Sequence, residues 1–180
     1  MRTIGEIKAE FAAAGEERKR ELCGIYGADP RAGVKALIQK VKKDGEKLEA
    51  ERARTRLMSV YEDKYGDLGL VCGIDEVGRG PLAGPVVAGA VILPRDKEIL
   101  WLNDSKKLSA ARREELYHVI MEEAVAVGLG MAGPARIDEI NILQATYEAM
   151  REAVSNLKAV PQGLLNDAVT IPEITIPQVP

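Results

Sequence analysis

The chain has 180 residues, 46% of them hydrophobic and 29% charged, with a formal net charge of −3. That balance excludes disordered and fibrous classes and fits one globular domain with a smaller appendage. No run approaches the ~18 apolar residues of a membrane span, and "MRTIGEIKAEF" lacks the apolar stretch of a secretory signal, so a cytoplasmic protein with no membrane partner is expected. Cys23 and Cys72 lie far apart, without a CxxC or a histidine cluster, which argues against a zinc site or a disulfide framework. The charge divides unevenly: residues 1–66 carry +3 and residues 67–180 carry −6. A mildly basic appendage on an acidic body suits a polyanion held by one part and metal ions offsetting charge in the other, and equally suits two ordinary solvated surfaces.

Residues 1–66 read as a small helical N-terminal domain. Thr3 and Glu6 have capping-box spacing, and Ile4, Ile7 and Phe11 follow on one face. A middle helix is predicted with Asp29 as N-cap, Pro30 at its first position, Val34, Leu37, Ile38 and Val41 as its apolar stripe, and Gly45 beyond its end. From Glu46 to Tyr65, Ala50, Ala53, Leu57, Val60 and Tyr61 keep a helical period while Lys47, Arg52, Arg54 and Arg56 take other faces, a helix half packed and half solvated.

Residues 67–180 change character to α/β. Leu70–Ile74 and Pro85–Leu93 read as neighbouring buried strands. A helix starts near Ser109 with Leu116, Val119, Ile120 and Ala124 as its stripe, and "AVAVGLGMA" reads as a third strand. Ile140, Leu143, Tyr147, Met150, Val154 and Leu157 mark a long helix from Ile137 onward, and "GLLNDAV" is a short fourth strand. The tail "IPEITIPQVP" has three prolines, which forbid a regular helix.

Three acids stand at strand ends: Asp75 and Glu76 on the first, Asp167 on the fourth. Neighbouring strand residues face opposite ways, so Asp75 and Glu76 meet at one site only if the strand ends or bulges there. Converging carboxylates repel unless a cation sits among them, and magnesium or manganese, which prefer oxygen ligands, are the natural counterions. The same acids are also compatible with capping turns on the surface. "GRGPLAG" lacks the spacing of dinucleotide and Walker loops, and acids directly before it argue against a simple phosphate cradle. Its glycines let backbone approach a ligand closely, with Arg79 between them facing either a phosphate or solvent.

In order and spacing, "GIDEVGRGPLAGPVVAGAVIL", "LNDSKKLSAARREELY", "IDEINILQATYEAM" and "LLNDA" resemble ribonuclease HII across residues 71–168, and the helical segment before them resembles the extension of some bacterial members. The resemblance implies a ribonuclease H-like mixed sheet flanked by helices. It implies an endoribonuclease, acting as a monomer, that cuts RNA in RNA/DNA hybrids and nicks duplex DNA at embedded ribonucleotides, leaving 5′-phosphomonoesters. It further implies a carboxylate quartet holding magnesium or manganese, with Asp75, Glu76 and Asp167 as three of the four metal-site acids. Gly78, Arg79 and Gly80 match the motif whose backbone senses the 2′-OH at the RNA to DNA junction, and Asn103 and Lys106 match phosphate contacts. Asp104 reads as a turn or helix-start residue, and His118 as a surface histidine. The family's fourth acid, its lysine-glycine-aspartate loop and a stacking tyrosine follow beyond Pro180. A C-terminally truncated chain is therefore expected, weakly active or inactive, with a loose tail beyond Ala168. The alternative is a noncatalytic nucleic-acid-binding fragment of the same fold.

Overall fold

The computed structural model describes residues 2–81, 83–95, 97–167 and 169–180. Leu82 in the glycine loop and Ala168 at the start of the tail lie outside the described residues. The chain divides into two compact units, Met1–Arg54 and Thr55–Pro180.

The first unit is built from α1 (Ile4–Ala13), α2 (Glu16–Ile25) and most of α3 (Ala32–Met58). The capping box is present: Glu6 N donates to Thr3 Oγ1 at 3.2 Å and Thr3 N to Glu6 Oε2 at 2.7 Å. Ile7, Phe11, Leu22, Val34 and Ile38 form the core, each full burial worth about 1.5–3 kcal/mol. Two sequence expectations change. The expected break at Gly45 is absent, because α3 continues through it to Met58, leaving the cost of one exposed-helix glycine, about 1 kcal/mol, to be carried by the long helix. Asp29 stands before α3 rather than capping it: its carboxylate accepts from Arg31 N at 3.0 Å and is paired with the Arg31 guanidinium, which holds it down to about 2. α2 carried too few apolar residues for its period to be read. The expected stripe at Ala50, Ala53, Leu57, Val60 and Tyr61 keeps its helical spacing but is exposed, Leu57 by 75%.

In the second unit, α4 (Val60–Tyr65) and a 3₁₀ turn at Gly66–Leu68 lead into β1 (Val71–Val77) and β2 (Val86–Ile92). Next come a 3₁₀ turn at Ser105–Lys107, α5 (Ala110–Glu123), β3 (Ala126–Ala132), α6 (Pro134–Ser155), β4 (Gly163–Asn166) and β5 (Gln178–Val179). Among the described residues the strands make one five-stranded sheet in the order β3-β2-β1-β4-β5, antiparallel from β3 to β1 and parallel from β1 to β5.

One face of this sheet is closed by α6. Cys72 and Ile74 of β1, Ala88, Ala90 and Ile92 of β2, and Leu164 of β4 are buried there with Ala145, Ala149, Met150 and Ala153 of the helix. The approach is close enough to demand glycine: a Cβ on Gly128 would lie 2.1 Å from Ala153 O, and one on Gly130 2.0 Å from Ala149 O. β3 is an edge strand, and side chains of α6 and its C-cap satisfy two of its free backbone groups. Glu152 accepts from Met131 N at 2.8 Å and Asn156 donates to Leu129 O at 2.7 Å. Burial lifts the Cys72 thiol to about 11, so it behaves as a packed apolar group.

α6 is not the continuous helix its spacing predicts. Asn141 has φ 70°, and its Oδ1 accepts from Leu143 N and Gln144 N at 3.0 and 3.1 Å, so it ends one segment and N-caps the next. The tail is not loose. Ile171 is buried in the main core, and β5 pairs in parallel with β4, Gln178 against Leu164.

Candidate active site

β1 runs regularly through both of its acids. Asp75 pairs with Gly89, Glu76 with Ala88 and Val77 with Val87, so the strand neither ends nor bulges at the carboxylates. Alternation then sends Glu76 to the closed face with Ala88, and Asp75 to the opposite face with Gly89. Glu76 Oε1 accepts from Arg79 Nη1 at 3.0 Å, and Asp75 Oδ1 accepts from Glu76 N at 2.8 Å.

The last rung between parallel β1 and β4 pairs Ile74 with Asn166, and the next residue on each strand is an acid, Asp75 and Asp167. Asp167 lies in a bend directly after β4 and is exposed, as is Asp75. The two acids are therefore carried about one strand spacing, ~4.8 Å of backbone, apart, Asp75 two residues before the end of β1 and Asp167 just past the end of β4, toward the side of the parallel pair where open α/β sheets bind ligands. Among the described residues, no group of three His, Cys, Asp or Glu is gathered tightly enough to hold a metal ion. The donor chemistry of Asp75 and Asp167 suits a hard divalent cation. Glu76, on the closed face and paired with Arg79, is not brought together with them.

Beyond Glu76 the chain turns at Gly78, whose φ of 101° and 2.3 Å separation between a would-be Cβ and Pro85 O both require glycine. Gly80 is different. Nothing lies within 4 Å of a Cβ placed there, so its missing side chain leaves open space beside the turn. Asp75 also lines a groove of about 860 Å³ together with Gly73, Gly89, Val91, Leu165, Ile120 and Leu102.

Leu102 leads into the loop that carries Asn103 and Lys106. Asn103 Oδ1 accepts from Asp104 N at 2.9 Å, and Asp104 Oδ1 accepts from Lys106 N at 2.9 Å, so Asp104 starts the 3₁₀ turn, as its spacing suggested. Arg113 of α5 donates to Ser105 O and Leu108 O at 3.2 and 2.7 Å and pins the loop, leaving Lys106 exposed. His118 is on the exposed side of α5, 3.5 Å from Glu114. No described helix is long and apolar enough to cross a membrane.

A mixed five-stranded sheet, antiparallel on one side and parallel on the other and closed on one face by a helix, fits a ribonuclease H-like α/β domain. A solved structure supports that class: the ribonuclease H2 from Pyrococcus horikoshii OT3 matches with TM-score 0.50 and 28% identity over 56% of this chain and 51% of that one. The family model for ribonuclease HII matches residues 72–178, and the model for the ribonuclease HII N-terminal domain matches residues 3–66. The chain belongs to the ribonuclease HII family. It is 59% identical over 177 residues to the ribonuclease HII of Lachnoclostridium phytofermentans, covering 98% of this chain and 70% of that protein. It is 53% identical over 152 residues to that of Bacillus mycoides, covering 83% of this chain and 59% of the relative's length.

Sequence reasoning missed Asn141, Gly128, Gly130 and Gln178. Asn141 sits inside an unbroken apolar period that hides a cap. The two glycines read simply as strand residues, and Gln178 was lost among prolines.

Proposed function

We propose that this chain carries the metal-binding and ribose-sensing part of an endoribonuclease that cuts RNA in RNA/DNA hybrids and nicks duplex DNA at an embedded ribonucleotide. The observation that carries the reading is the Ile74–Asn166 rung between parallel β1 and β4, directly after which Asp75 and Asp167 follow, near the turn at Gly78 to Gly80. A magnesium or manganese ion bound between carboxylates of this kind supplies the charge that activates water and stabilises the leaving 3′-oxygen. Asp75 and Asp167 hold the site from one face of the sheet, and bringing in Glu76 from the other face requires the end of β1 to change its facing as well as the release of Arg79. Open space at Gly80 lets the backbone approach a ribose 2′-OH, a donor and acceptor that DNA lacks. Asn103 and Lys106 meet backbone phosphates, which give position rather than sequence. The substrate is a duplex, the working unit a monomer in the cytoplasm, and residues 1–66 serve as an auxiliary domain adding affinity for phosphates.

The test uses a form extended to the length of the relatives, of which this chain covers 70% and 59%. Asp75→Asn in that form is expected to lower cleavage of a single-ribonucleotide duplex by about 10²-fold or more with the fold intact. A near-normal rate with magnesium present overturns the assignment. A second reading, a nucleic-acid-binding fragment without turnover, is favoured by the lack of a three-acid cluster among the described residues. Assaying the 180-residue chain for both binding and cleavage separates the two, since binding without nicking supports the second.

A further inference from the structure

Asp167 stands just outside a strand of four residues whose outer neighbour, β5, has two. So short a ladder fixes its end weakly. The side-chain amide of Gln178 adds what the backbone lacks. Its Oε1 accepts from Asn166 Nδ2 at 2.8 Å and from Ile171 N at 2.7 Å, and its Nε2 donates to Ile171 O at 2.9 Å and Ile174 O at 3.3 Å. Both acceptor positions and both N–H groups of the amide are used. Asn166 Nδ2 donates again, to Val169 O at 3.2 Å. The residue before Asp167 and the segment after it are thus tied to one side chain.

Asn166 is itself 8% exposed, and its Oδ1 is buried with no partner among the described residues. An orphaned buried acceptor is a cost, so this asparagine is held in place for its donor group. Aliphatic residues at 166 and 178 would fill the same space without that cost, but they could not bind the backbone of the buried Ile171.

We propose that the Asn166–Gln178 amide pair is a positioning device for Asp167, holding the carboxylate at the end of β4 in line with Asp75. The inference rests on the reading of Asp167 as a metal ligand. Gln178 touches neither the acid nor a substrate; it acts through the chain on both sides of Asp167.

Gln178→Met removes all four bonds at similar volume, and Gln178→Glu retains the two acceptor bonds. The 180-residue chain is followed by amide hydrogen exchange and by Mn²⁺ titration using electron paramagnetic resonance. In Gln178→Met, exchange over residues 163–167 is expected to rise at least about tenfold while Ala88 and Gly130 of β2 and β3 keep their rates, and Mn²⁺ affinity is expected to fall about tenfold. Gln178→Glu is expected to lie between Gln178→Met and the parent on both readouts, and it decides the matter if the methionine variant does not fold. Exchange that rises equally across the whole sheet, or Mn²⁺ affinity within about twofold of the parent, overturns the inference and leaves the proposed function standing. A parent chain that binds no Mn²⁺, or whose Mn²⁺ binding survives both Asp75→Asn and Asp167→Asn, removes the metal reading, and the inference falls with it.

Discussion

The two faces of the sheet are built from the same strands, yet they follow opposite rules. On the face under α6 the strands present cysteine, alanine, glycine and isoleucine, and the helix backbone comes within van der Waals reach of β3. On the other face Val77, Leu129 and Met131 are 69%, 61% and 60% exposed, and Asp75 lines a groove. Alternation along one strand therefore separates a packed side from an open side. Ile74 is locked into a close-packed interior, while its neighbour Asp75 stands where carboxylates can meet a ligand without being desolvated. Glu76 returns to the closed side and finds Arg79.

The contrast breaks most visibly at β3. Gly130→Val forces a side chain into the space occupied by Ala149 O and Ala153 N of α6, so either the helix lifts or the strand bends. A loss of about 3 kcal/mol is expected in denaturant unfolding. If the variant unfolds with the parent's midpoint, the close approach of α6 to β3 is not what holds the sheet.

The glycine turn sharpens the comparison at the site itself. Gly78→Ala meets both a positive φ and Pro85 O, and a destabilisation of about 2 kcal/mol is expected before any ligand is considered. Gly80→Ala meets nothing in the free chain, so its stability is expected to stay within about 0.5 kcal/mol of the parent. Any loss of ribose-over-deoxyribose preference in that variant then belongs to the ligand. Unchanged preference after Gly80→Ala removes this glycine from ribose sensing.

Much of this was legible in the chain. The capping box, the helix start near Ser109 and four strands all follow from local patterns, because caps and alternation are short-range signals. What was not legible depends on contacts made far along the chain. Gly45 looked like a stop signal, but a glycine past the last apolar residue also fits inside a long helix when residues follow on in helical period. The tail reads as loose because the packing supplied by a following segment is expected to be missing, and prolines forbid a helix there. A two-residue strand and one glutamine needed a partner strand to pair with, and only the fold supplies it. The facing of the strand acids was not legible. Whether β1 bulges at Asp75 is settled by its pairing with β2, which nothing in "GIDEVGRG" encodes.

The smallest effect is expected on the open face, and it carries the comparison furthest. Met131 and Gly130 are adjacent, so any influence of chain position, strand propensity or edge location is nearly shared between them. They differ in the side of the sheet they face. Met131→Ser removes an apolar side chain that is already 60% in water, leaves no cavity under α6, and keeps the backbone N–H that Glu152 accepts. Its unfolding free energy is expected to stay within about 0.5 kcal/mol of the parent. Self-association in sedimentation runs is expected to decrease as one exposed apolar group is withdrawn from the surface. A loss comparable with that of Gly130→Val would mean that this face is packed in solution, and the division between a packed and an open side of the sheet would not hold.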